Sequence, residues 1–286
     1  MDQAEPIKGH LKMIMPEENN DETNNYSRVR RLTFVRKEPY DESRNISRVA
    51  RAYVKGKTAQ MPVHLSDLYE RTVKGLNANE KERIFELLTQ FQDNFSKDEW
   101  DIGLTHLTEH AIPTGDAATI KQPPRRLPLA HAEAEKKAIE DLKAKGVIRD
   151  STSQWASPIV LVAKKDGDVR PCVDYRRLNE LLKPDGFPLP RIQDCLDAVA
   201  LSALFSTFDL LSGYFQIPVK EEDIPKTAFV CKYGHYEMTR MPQGLNSSAL
   251  TFQRTMELAL QGLQWVTCLI YIDDIIVFGK NFEEHV

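Results

Sequence analysis

Two adjacent carboxylates stand between apolar runs near the end of the sequence. The segment LIYIDDIIVF, residues 269–278, sets Asp273 and Asp274 between four apolar residues on each side. Two unit charges about 4 Å apart repel by roughly 1 kcal/mol in water and by several times that near a low-dielectric surface. A divalent cation reverses this cost, because hard cations take carboxylate oxygens as ligands. The pair therefore indicates a metal site, the alternative being an acidic turn screened by solvent.

The apolar residues around the acids favour a β-hairpin. They are Ile270, Ile272, Ile275 and Val277, and they predict a strand, a tight turn with the two acids at its tip, and a second strand. A turn selected for folding alone would carry Asn-Gly or Asp-Gly, since a type I′ turn needs positive φ at both central residues. Asp-Asp gives up that advantage, which favours a chemical role for the pair.

A third acid, Asp209, ends the predicted strand LFSTFDL. Taken alone, an aspartate in this position is most often a turn or capping residue. Carboxylates at the ends of two strands of an antiparallel sheet can also converge on one pair of metal ions. Two Mg²⁺ ions about 3.5–4 Å apart clamp the attacking and leaving oxygens of phosphoryl transfer. Three such acids are therefore typical of a polymerase.

The elements that must position these acids follow a polar leader. Residues 1–60 predict a mostly disordered linker, in which VRRLTFVRK could form a strand but has no evident partner. Residues 61–115 predict a small helical segment, where Asn77 followed by Glu80 resembles a capping box. Residues 116–286 mix helices with antiparallel hairpins, which predicts an α+β domain.

Within that domain the local signals are turn residues and apolar periodicity. The run AHAEAEKKAIEDLKAKG predicts a helix ending at Gly146, and residues 159–175 predict a hairpin turning at Asp166–Gly167. A helix follows in RIQDCLDAVA. TAFVCKYGHYEMTR predicts a second hairpin turning near Gly234, and SALTFQRTMELALQGL predicts an amphipathic helix.

Composition excludes several classes of function. No apolar run approaches the roughly 20 residues that span a bilayer, and the N-terminus lacks the apolar core of a signal peptide, so we expect no membrane partner and a cytoplasmic location. The four cysteines are scattered without metal-ligand spacing. Net charge is −4, but residues 121–183 hold 14 Lys+Arg against 9 Asp+Glu. This basic stretch is either a contact for a polyanion or a solvated face.

Residues 146–286 closely resemble the reverse transcriptases of gypsy-type LTR retrotransposons (metaviruses). The matching pieces, in order, are GVIRDSTSQWASPIVLVAKKDGDVRPCVDYRRLN, FPLPRIQDCLD, FSTFDLLSGYFQIPVKEEDIPKTAF, YGHYEMTRMPQGL, TFQRTM and YIDDIIVF. The resemblance implies the fingers and palm of a right-hand polymerase, with an antiparallel sheet and a catalytic hairpin. It also implies RNA-directed DNA synthesis with two Mg²⁺ ions, for which Mn²⁺ could substitute, and partners that are dNTPs and a primer on an RNA or DNA template.

The resemblance assigns roles to individual positions of this sequence. Asp209, Asp273 and Asp274 match the catalytic metal-binding triad, and the backbone carbonyl of Leu210 would assist them. The other matched positions serve the substrates: Tyr214 as the steric gate that excludes a 2′-hydroxyl, Lys164 and Arg170 as cations over the triphosphate, Gln243 in the nucleotide pocket, and Tyr271 near the primer end.

The sequence departs from the family pattern in two places. Ala249 stands where the family carries a proline before the Thr-Phe-Gln motif, which predicts a looser start of the following helix. Val286 ends the sequence after the catalytic hairpin, so we expect a domain truncated before the thumb, with the thumb and RNase H regions in the parent polyprotein. Such a chain would lie inside the cell, within a virus-like particle if its element is active.

Two alternatives remain open from the sequence. One is a truncated, catalytically inactive retroelement remnant that binds nucleic acid through its basic stretch. The other is a metal-free protein-interaction module built on the helical residues 61–96.

Overall fold

The computed structural model of the chain describes residues 12–13, 27–36, 60–98, 101–126, 128, 131–163 and 169–286. Its helices are α1 (Val63–Thr72), α2 (Ala78–Gln90), α3 (Ala132–Ala144), α4 (Arg176–Asn179), α5 (Ile192–Val199), α6 (Ser248–Ala259) and α7 (Phe282–His285). Its strands are β1 (Lys12–Met13), β2 (Ser27–Arg36), β3 (Ile148–Asp150), β4 (Ser157–Ala163), β5 (Val169–Val173), β6 (Leu204–Leu210), β7 (Phe229–Cys231), β8 (Gly234–Met238), β9 (Cys268–Tyr271) and β10 (Asp274–Gly279). The predicted α+β class is confirmed.

One sheet, the palm sheet, carries the predicted catalytic hairpin. Its strand order is β1-β2-β6-β10-β9, and all neighbouring strands are antiparallel. β9 and β10 form the hairpin predicted from LIYIDDIIVF, and β10 also pairs with β6. β2 occupies the other side of β6, so the segment VRRLTFVRK does have a partner. Apart from β1, β2 and Gln60, residues 1–60 lie outside the described residues, and their predicted disorder stays a prediction.

A second sheet, the fingers sheet, has the strand order β3-β8-β7-β4-β5. β4 and β5 form the predicted hairpin with Ala163 opposite Val169, and its turn at Asp166–Gly167 lies outside the described residues. β7 and β8 form the second predicted hairpin, which reverses just before Gly234. The two hairpins join through a parallel pairing in which Ser157 lies opposite Phe229.

The predicted helix ends are visible as hydrogen bonds and backbone angles. At the start of α2 the Glu80 amide donates to Asn77 Oδ1 at 2.9 Å, and the Asn77 amide donates to Glu80 Oε2 at 3.0 Å. This is a complete capping box, which satisfies two amides that the helix itself cannot bond. Beyond the end of α3, Gly146 adopts φ +66°, a left-handed conformation that costs glycine no Cβ clash.

The helical segment shares its core with the palm sheet. Leu65 and Leu68 of α1 and Ile84 and Leu88 of α2 are buried in a cluster that also holds Leu204 of β6 and Phe282 of α7. Arg83 of α2 forms an ion pair with Glu283 and lies over the Phe282 ring at 5.4 Å. The segment predicted from residues 61–115 therefore packs behind the strands that carry the candidate acids.

A separate core supports the β9–β10 hairpin from helix α6. Phe252 and Met256 of α6 are buried with Ile270 of β9 and Ile275 of β10. Alternate residues of the hairpin therefore face α6, as the pleat of a strand requires. Because interiors are close-packed, the position of α6 fixes the position of the hairpin.

Candidate active site

Strand pairing brings the three predicted acids to one edge of the palm sheet. Asp209, the last residue but one of β6, lies directly opposite Asp274, the first residue of β10. Directly opposed residues of an antiparallel pair project from the same face with Cβ atoms about 4.5–5.5 Å apart. Asp273 immediately precedes Asp274 in the turn, and Leu210 follows Asp209. Asp209 and the Asp273–Asp274 pair, about 64 positions apart in sequence, are thus made neighbours by the pairing register of β6 and β10.

The tip of the hairpin differs from the predicted arrangement. The two turn residues are Ile272 and Asp273, whereas Asp274 belongs to β10 and pairs with Tyr271. Ile272 has φ +53°, and Asp273 is not among the positive-φ residues, which is the pattern of a type II′ turn rather than type I′. The prediction that both acids occupy the tip was therefore wrong. Pairing with β6 sets the register and draws Asp274 into the strand.

The conformation of Ile272 carries a cost in free energy. A β-branched residue with positive φ is a true outlier, because its Cβ crowds the following carbonyl oxygen. Such strain is of the order of 1–3 kcal/mol and persists only where the surroundings hold it. The Ile272 side chain packs against the core that includes Phe252 and Ile270, which anchors one side of the turn.

The acids repel one another, as their spacing predicts. Partial desolvation by the surrounding chain, followed by the negative charges of Asp209 and Asp274, raises the pKa of Asp273 to about 6. The desolvation is only partial because the residue as a whole is exposed at the tip of the hairpin. The accumulated negative charge favours a cation at this edge, because a divalent ion stabilises the ionised form of each carboxylate.

The donor chemistry of this edge suits a hard cation. Three carboxylates and a backbone carbonyl are the oxygen ligands that Mg²⁺ prefers, and none of these residues is a soft sulfur donor. Within the described residues, however, no three His, Cys, Asp or Glu side chains already converge tightly enough to hold an ion. The strand register thus places the three acids at one edge of the sheet.

Tyr214 lies beside the acids on a short 3₁₀ turn, Gly213–Gln216. Its ring stacks on Phe252 with the ring centroids 5.2 Å apart and an interplanar angle of 8°. Partial burial, followed by the charge of Asp273, raises the pKa of Tyr214 to about 12. The phenol is therefore protonated at neutral pH, and its ring is held flat against helix α6. Phe252, which the sequence reasoning missed, is the residue that orients Tyr214.

Gly213 is required for this arrangement. A Cβ atom built on Gly213 would lie 2.9 Å from two ring atoms of Phe252. Real side chains essentially never approach so closely, and the aromatic ring is itself buried. The glycine in SGYF therefore permits the Phe252 ring to stack on Tyr214. The glycine is visible in the sequence, but its role could not be inferred without the position of Phe252.

The structure gives less information on the other residues that were predicted to contact the nucleotide or the primer. Arg170 lies in β5 opposite Val162, and Lys164 lies outside the described residues. Tyr271 ends β9 and is 38% exposed, on the strand that leads into the acids. Gln243 is exposed in the loop between β8 and α6. The structure thus brings Tyr214, Tyr271 and the acids together, while the nucleotide-binding roles of the other three stay predictions.

The loop that carries Gln243 is bracketed by side-chain hydrogen bonds. Asn179 donates through Nδ2 to the Gly244 carbonyl at 2.9 Å and accepts from the Asn246 amide at 2.9 Å. Ser248 Oγ donates to the Pro242 carbonyl at 2.8 Å, and helix α6 begins at this serine. These bonds order the start of the helix although Ala249 replaces the family's proline.

Much of the basic stretch 121–183 is neutralised within the fold. Arg125 and Arg176 both pair with Asp174, at 2.6 and 2.7 Å. The hydrogen bond from Arg176 is the largest of the interactions that lower the pKa of Asp174 to about 2. Arg149 pairs with Glu237 at 2.8 Å and with Glu221 at 2.9 Å. These arginines are consequently engaged in ion pairs within the fold rather than forming a uniform positive surface.

The described part of the chain contains no helix long and apolar enough to cross a membrane. Cys195, Cys231 and Cys268 are free thiols.

Comparison with known proteins identifies the family. Residues 162–286 match the family model of reverse transcriptase (RNA-dependent DNA polymerase). The chain is 35% identical over 215 residues to a retrovirus-related Pol polyprotein from transposon 297 of Drosophila melanogaster, covering 73% of this chain and 20% of that polyprotein. It is 38% identical over 154 residues to the polyprotein of transposon gypsy from the same organism, covering 52% and 15%.

A solved structure supports the fold. The foamy viral protease-reverse transcriptase in complex with an RNA/DNA hybrid matches with a TM-score of 0.70 at 25% identity, over 80% of this chain and 31% of that chain. This chain spans a fifth or less of the two polyproteins above. The fold and the family match together show a reverse transcriptase domain in this chain. The chain belongs to the reverse transcriptases of gypsy-type LTR retrotransposons, as its motifs predicted.

Proposed function

We propose that this chain carries the catalytic palm for template-directed transfer of dNTPs to a primer 3′-hydroxyl. The observation that supports this most strongly is the register of the palm sheet, in which Asp209 faces Asp274 while Asp273 occupies the adjoining turn. Strand-end acids of this kind are the ligands used in two-metal phosphoryl transfer. The substrates under this proposal are dNTPs and a primer annealed to an RNA or DNA template.

The metal ligands in this proposal are the carboxylates of Asp209, Asp273 and Asp274 and the carbonyl of Leu210. When bound, two Mg²⁺ ions would activate the primer hydroxyl and stabilise the pyrophosphate leaving group. Mn²⁺ is a possible substitute. The backbone already holds the acids on adjacent strands and in the adjoining turn, so their carboxylates are close enough to share a cation. A bound cation would offset the desolvation and the mutual repulsion that raise the pKa of Asp273.

The other residues act on the nucleotide and the primer. We propose that Tyr214 is the steric gate that excludes a ribose 2′-hydroxyl, a role supported by the stack that holds its ring flat against Phe252. Lys164 and Arg170 are proposed to neutralise the triphosphate, where the planar guanidinium of Arg170 can bind two oxygens at once. Gln243 lines the nucleotide pocket, and Tyr271 packs near the primer end.

The test is single-nucleotide incorporation by the purified chain on an RNA template with a DNA primer in the presence of Mg²⁺. Asp273→Asn, which keeps the shape but removes the charge, is expected to abolish incorporation. Asp116→Asn, a change at an exposed aspartate between α2 and α3, is the matched control and is expected to retain incorporation.

Two outcomes contradict the proposal. Incorporation that survives in Asp273→Asn would show that the chemistry does not use these acids. Absence of incorporation in the unmodified chain, with salt-sensitive binding of the primer-template that Asp273→Asn retains, would indicate the alternative function, a remnant that binds nucleic acid without catalysis. Phosphate contacts make such binding fall steeply with salt.

A further inference from the structure

We propose that Gln253 of helix α6 is a positioning residue that holds the strained turn of the catalytic hairpin and so fixes Asp273. The proposal rests on the polymerase function proposed above, because the turn matters only if Asp273 acts in catalysis. Gln253 is the glutamine of the TFQRTM run, and the sequence analysis assigned no role to it.

The carboxamide of Gln253 bonds the hairpin on both sides of Tyr271. Its Oε1 accepts a hydrogen bond from the Ile272 amide at 2.7 Å, and its Nε2 donates to the Ile270 carbonyl at 3.2 Å. In a two-residue turn the amide of the first central residue is not used by the turn's own hydrogen bond. The Ile272 amide therefore depends on Gln253 for a partner, at the residue whose φ is +53°.

The orientation of the carboxamide is determined by its surroundings. Nε2 also donates to Glu257 Oε1 at 2.8 Å. The Ile270 carbonyl and the Glu257 carboxylate accept hydrogen bonds, whereas the Ile272 amide can only donate. Only one of the two amide orientations satisfies all three groups, so the oxygen must face Ile272. Glu257 thereby orients Gln253, which in turn holds the turn.

Burial makes this contact rigid. The Gln253 residue has 0% exposure, so water does not compete for its bonds. It projects from the same helix as Phe252, which stacks on Tyr214. Helix α6 consequently holds the acids through Gln253 and the proposed steric gate through Phe252, two adjacent residues on one rigid element. A site built this way keeps its catalytic groups in a fixed relation to one another.

The decisive variant is Gln253→Met, which preserves the length of the side chain and removes both hydrogen-bonding groups. The matched control is Thr251→Val in the same helix. Thr251 is buried and bonds His110 through Oγ1 at 3.0 Å, so the control also loses a buried hydrogen bond, but on a contact that does not involve the hairpin. Thermal unfolding of both variants measures the common loss of stability.

The first readout does not need activity. Amide hydrogen exchange, followed by NMR on protein labelled with nitrogen-15 isoleucine, reports Ile272 separately from Ile270 and Ile275. We expect exchange at Ile272 to accelerate at least about 10-fold in Gln253→Met and to stay within about 2-fold in Thr251→Val. Unchanged exchange at Ile272 in Gln253→Met would overturn the proposal, whether or not the chain polymerises.

The second readout is steady-state incorporation with varied Mg²⁺ and dNTP. Loss of a residue that supports metal ligands typically costs about 10–100-fold in activity or metal affinity. We expect kcat to fall by that factor in Gln253→Met, the Mg²⁺ midpoint to rise, and KM for dNTP to change little. An equal loss of kcat in Thr251→Val at matched stability would assign the effect to general destabilisation and overturn the proposal.

A charge-neutral exchange supplies the rescue. In Gln253→Glu combined with Glu257→Gln, the carboxylate at position 253 accepts from the Ile272 amide and from the new amide at 257, and only the weaker bond to the Ile270 carbonyl, 3.2 Å long in the unmodified chain, is lost. We expect this double variant to recover the slow exchange at Ile272 and most of kcat relative to Gln253→Met. Failure to recover the slow exchange, in a double variant whose unfolding temperature matches that of the unmodified chain, would contradict the assigned orientation. If the unmodified chain does not polymerise, the proposed function fails while the exchange data still decide the role of Gln253.

Discussion

Acid should destabilise this protein through His110. His110 has 0% exposure, its Nδ1 lies 3.0 Å from Thr251 Oγ1, and its buried Nε2 has no hydrogen-bond partner in the described part of the chain. Burial lowers the pKa of His110 from 6.5 to about 4, although the charge of Asp223 opposes the shift. Below pH 6.5 the imidazole of His110 therefore binds a proton in the unfolded chain, whereas in the folded chain it binds one only below about pH 4.

The size of the effect follows from the two pKa values. One pKa unit corresponds to about 1.4 kcal/mol, so the full shift is worth about 3 kcal/mol below pH 4. Between pH 7.5 and pH 5 the free energy of unfolding should fall by about 2 kcal/mol on account of His110 alone. This contribution is intact above pH 6.5 and is lost progressively as the pH falls toward 4.

Urea unfolding at several pH values, on the unmodified chain and on His110→Leu, isolates the histidine. The variant cannot titrate at this position, so its loss of stability between pH 7.5 and pH 5 should be smaller by about 2 kcal/mol. Other titrating groups affect both proteins and cancel in the comparison. Equal pH dependence in the two proteins would refute the reasoning, as would an NMR titration that finds the His110 pKa near 6.5.

Two further predictions concern Tyr214 and the fingers sheet. Tyr214→Val removes the ring stacked on Phe252 and should raise the ratio of rNTP to dNTP incorporation by about 100-fold in primer extension, whereas Tyr214→Phe keeps the ring and should stay near the unmodified ratio. An unchanged ratio in Tyr214→Val would rule out the steric gate. Asp174→Asn removes the carboxylate that accepts from Arg125 and Arg176, and it should lower the free energy of unfolding at pH 7 by about 1–3 kcal/mol in urea titrations. The pKa of Asp174 is depressed to about 2, so this difference should be complete above pH 4 and shrink below it, while Asp150→Asn, at an exposed ion pair, should change little.

Local features of the fold could be read from the sequence because they depend on near neighbours. The capping box of Asn77 and Glu80 involves residues three apart, and the end of α3 at Gly146 follows from one left-handed residue. The hairpin of β9 and β10 follows from alternating apolar residues. Each of these signals lies within one turn or one strand, where propensity and pattern act directly.

Features that depend on distant contacts could not be read in the same way. The sequence prediction placed the turn of the β9–β10 hairpin one residue too late. Pairing of Asp274 with Asp209 sets the register, and no local rule places an isoleucine at positive φ. The partner of β2 lies about 170 residues away, beyond any periodicity. The stack of Tyr214 on Phe252 likewise required the path of helix α6 to be known. Family motifs supplied the identity of the site, but not its supporting contacts.

The core shared by α2 and α7 has a consequence for how the protein is made. Arg83 and Glu283 are 200 residues apart, and Phe282 closes the cluster that begins with Leu65. At a synthesis rate of about 5–20 residues per second, roughly 10–40 s separate the emergence of the helices from that of the residues that cover them. During this interval the apolar faces of α1 and α2 are open to water and to chaperones. The helices that are translated first thus complete their packing late, when Phe282 leaves the ribosome.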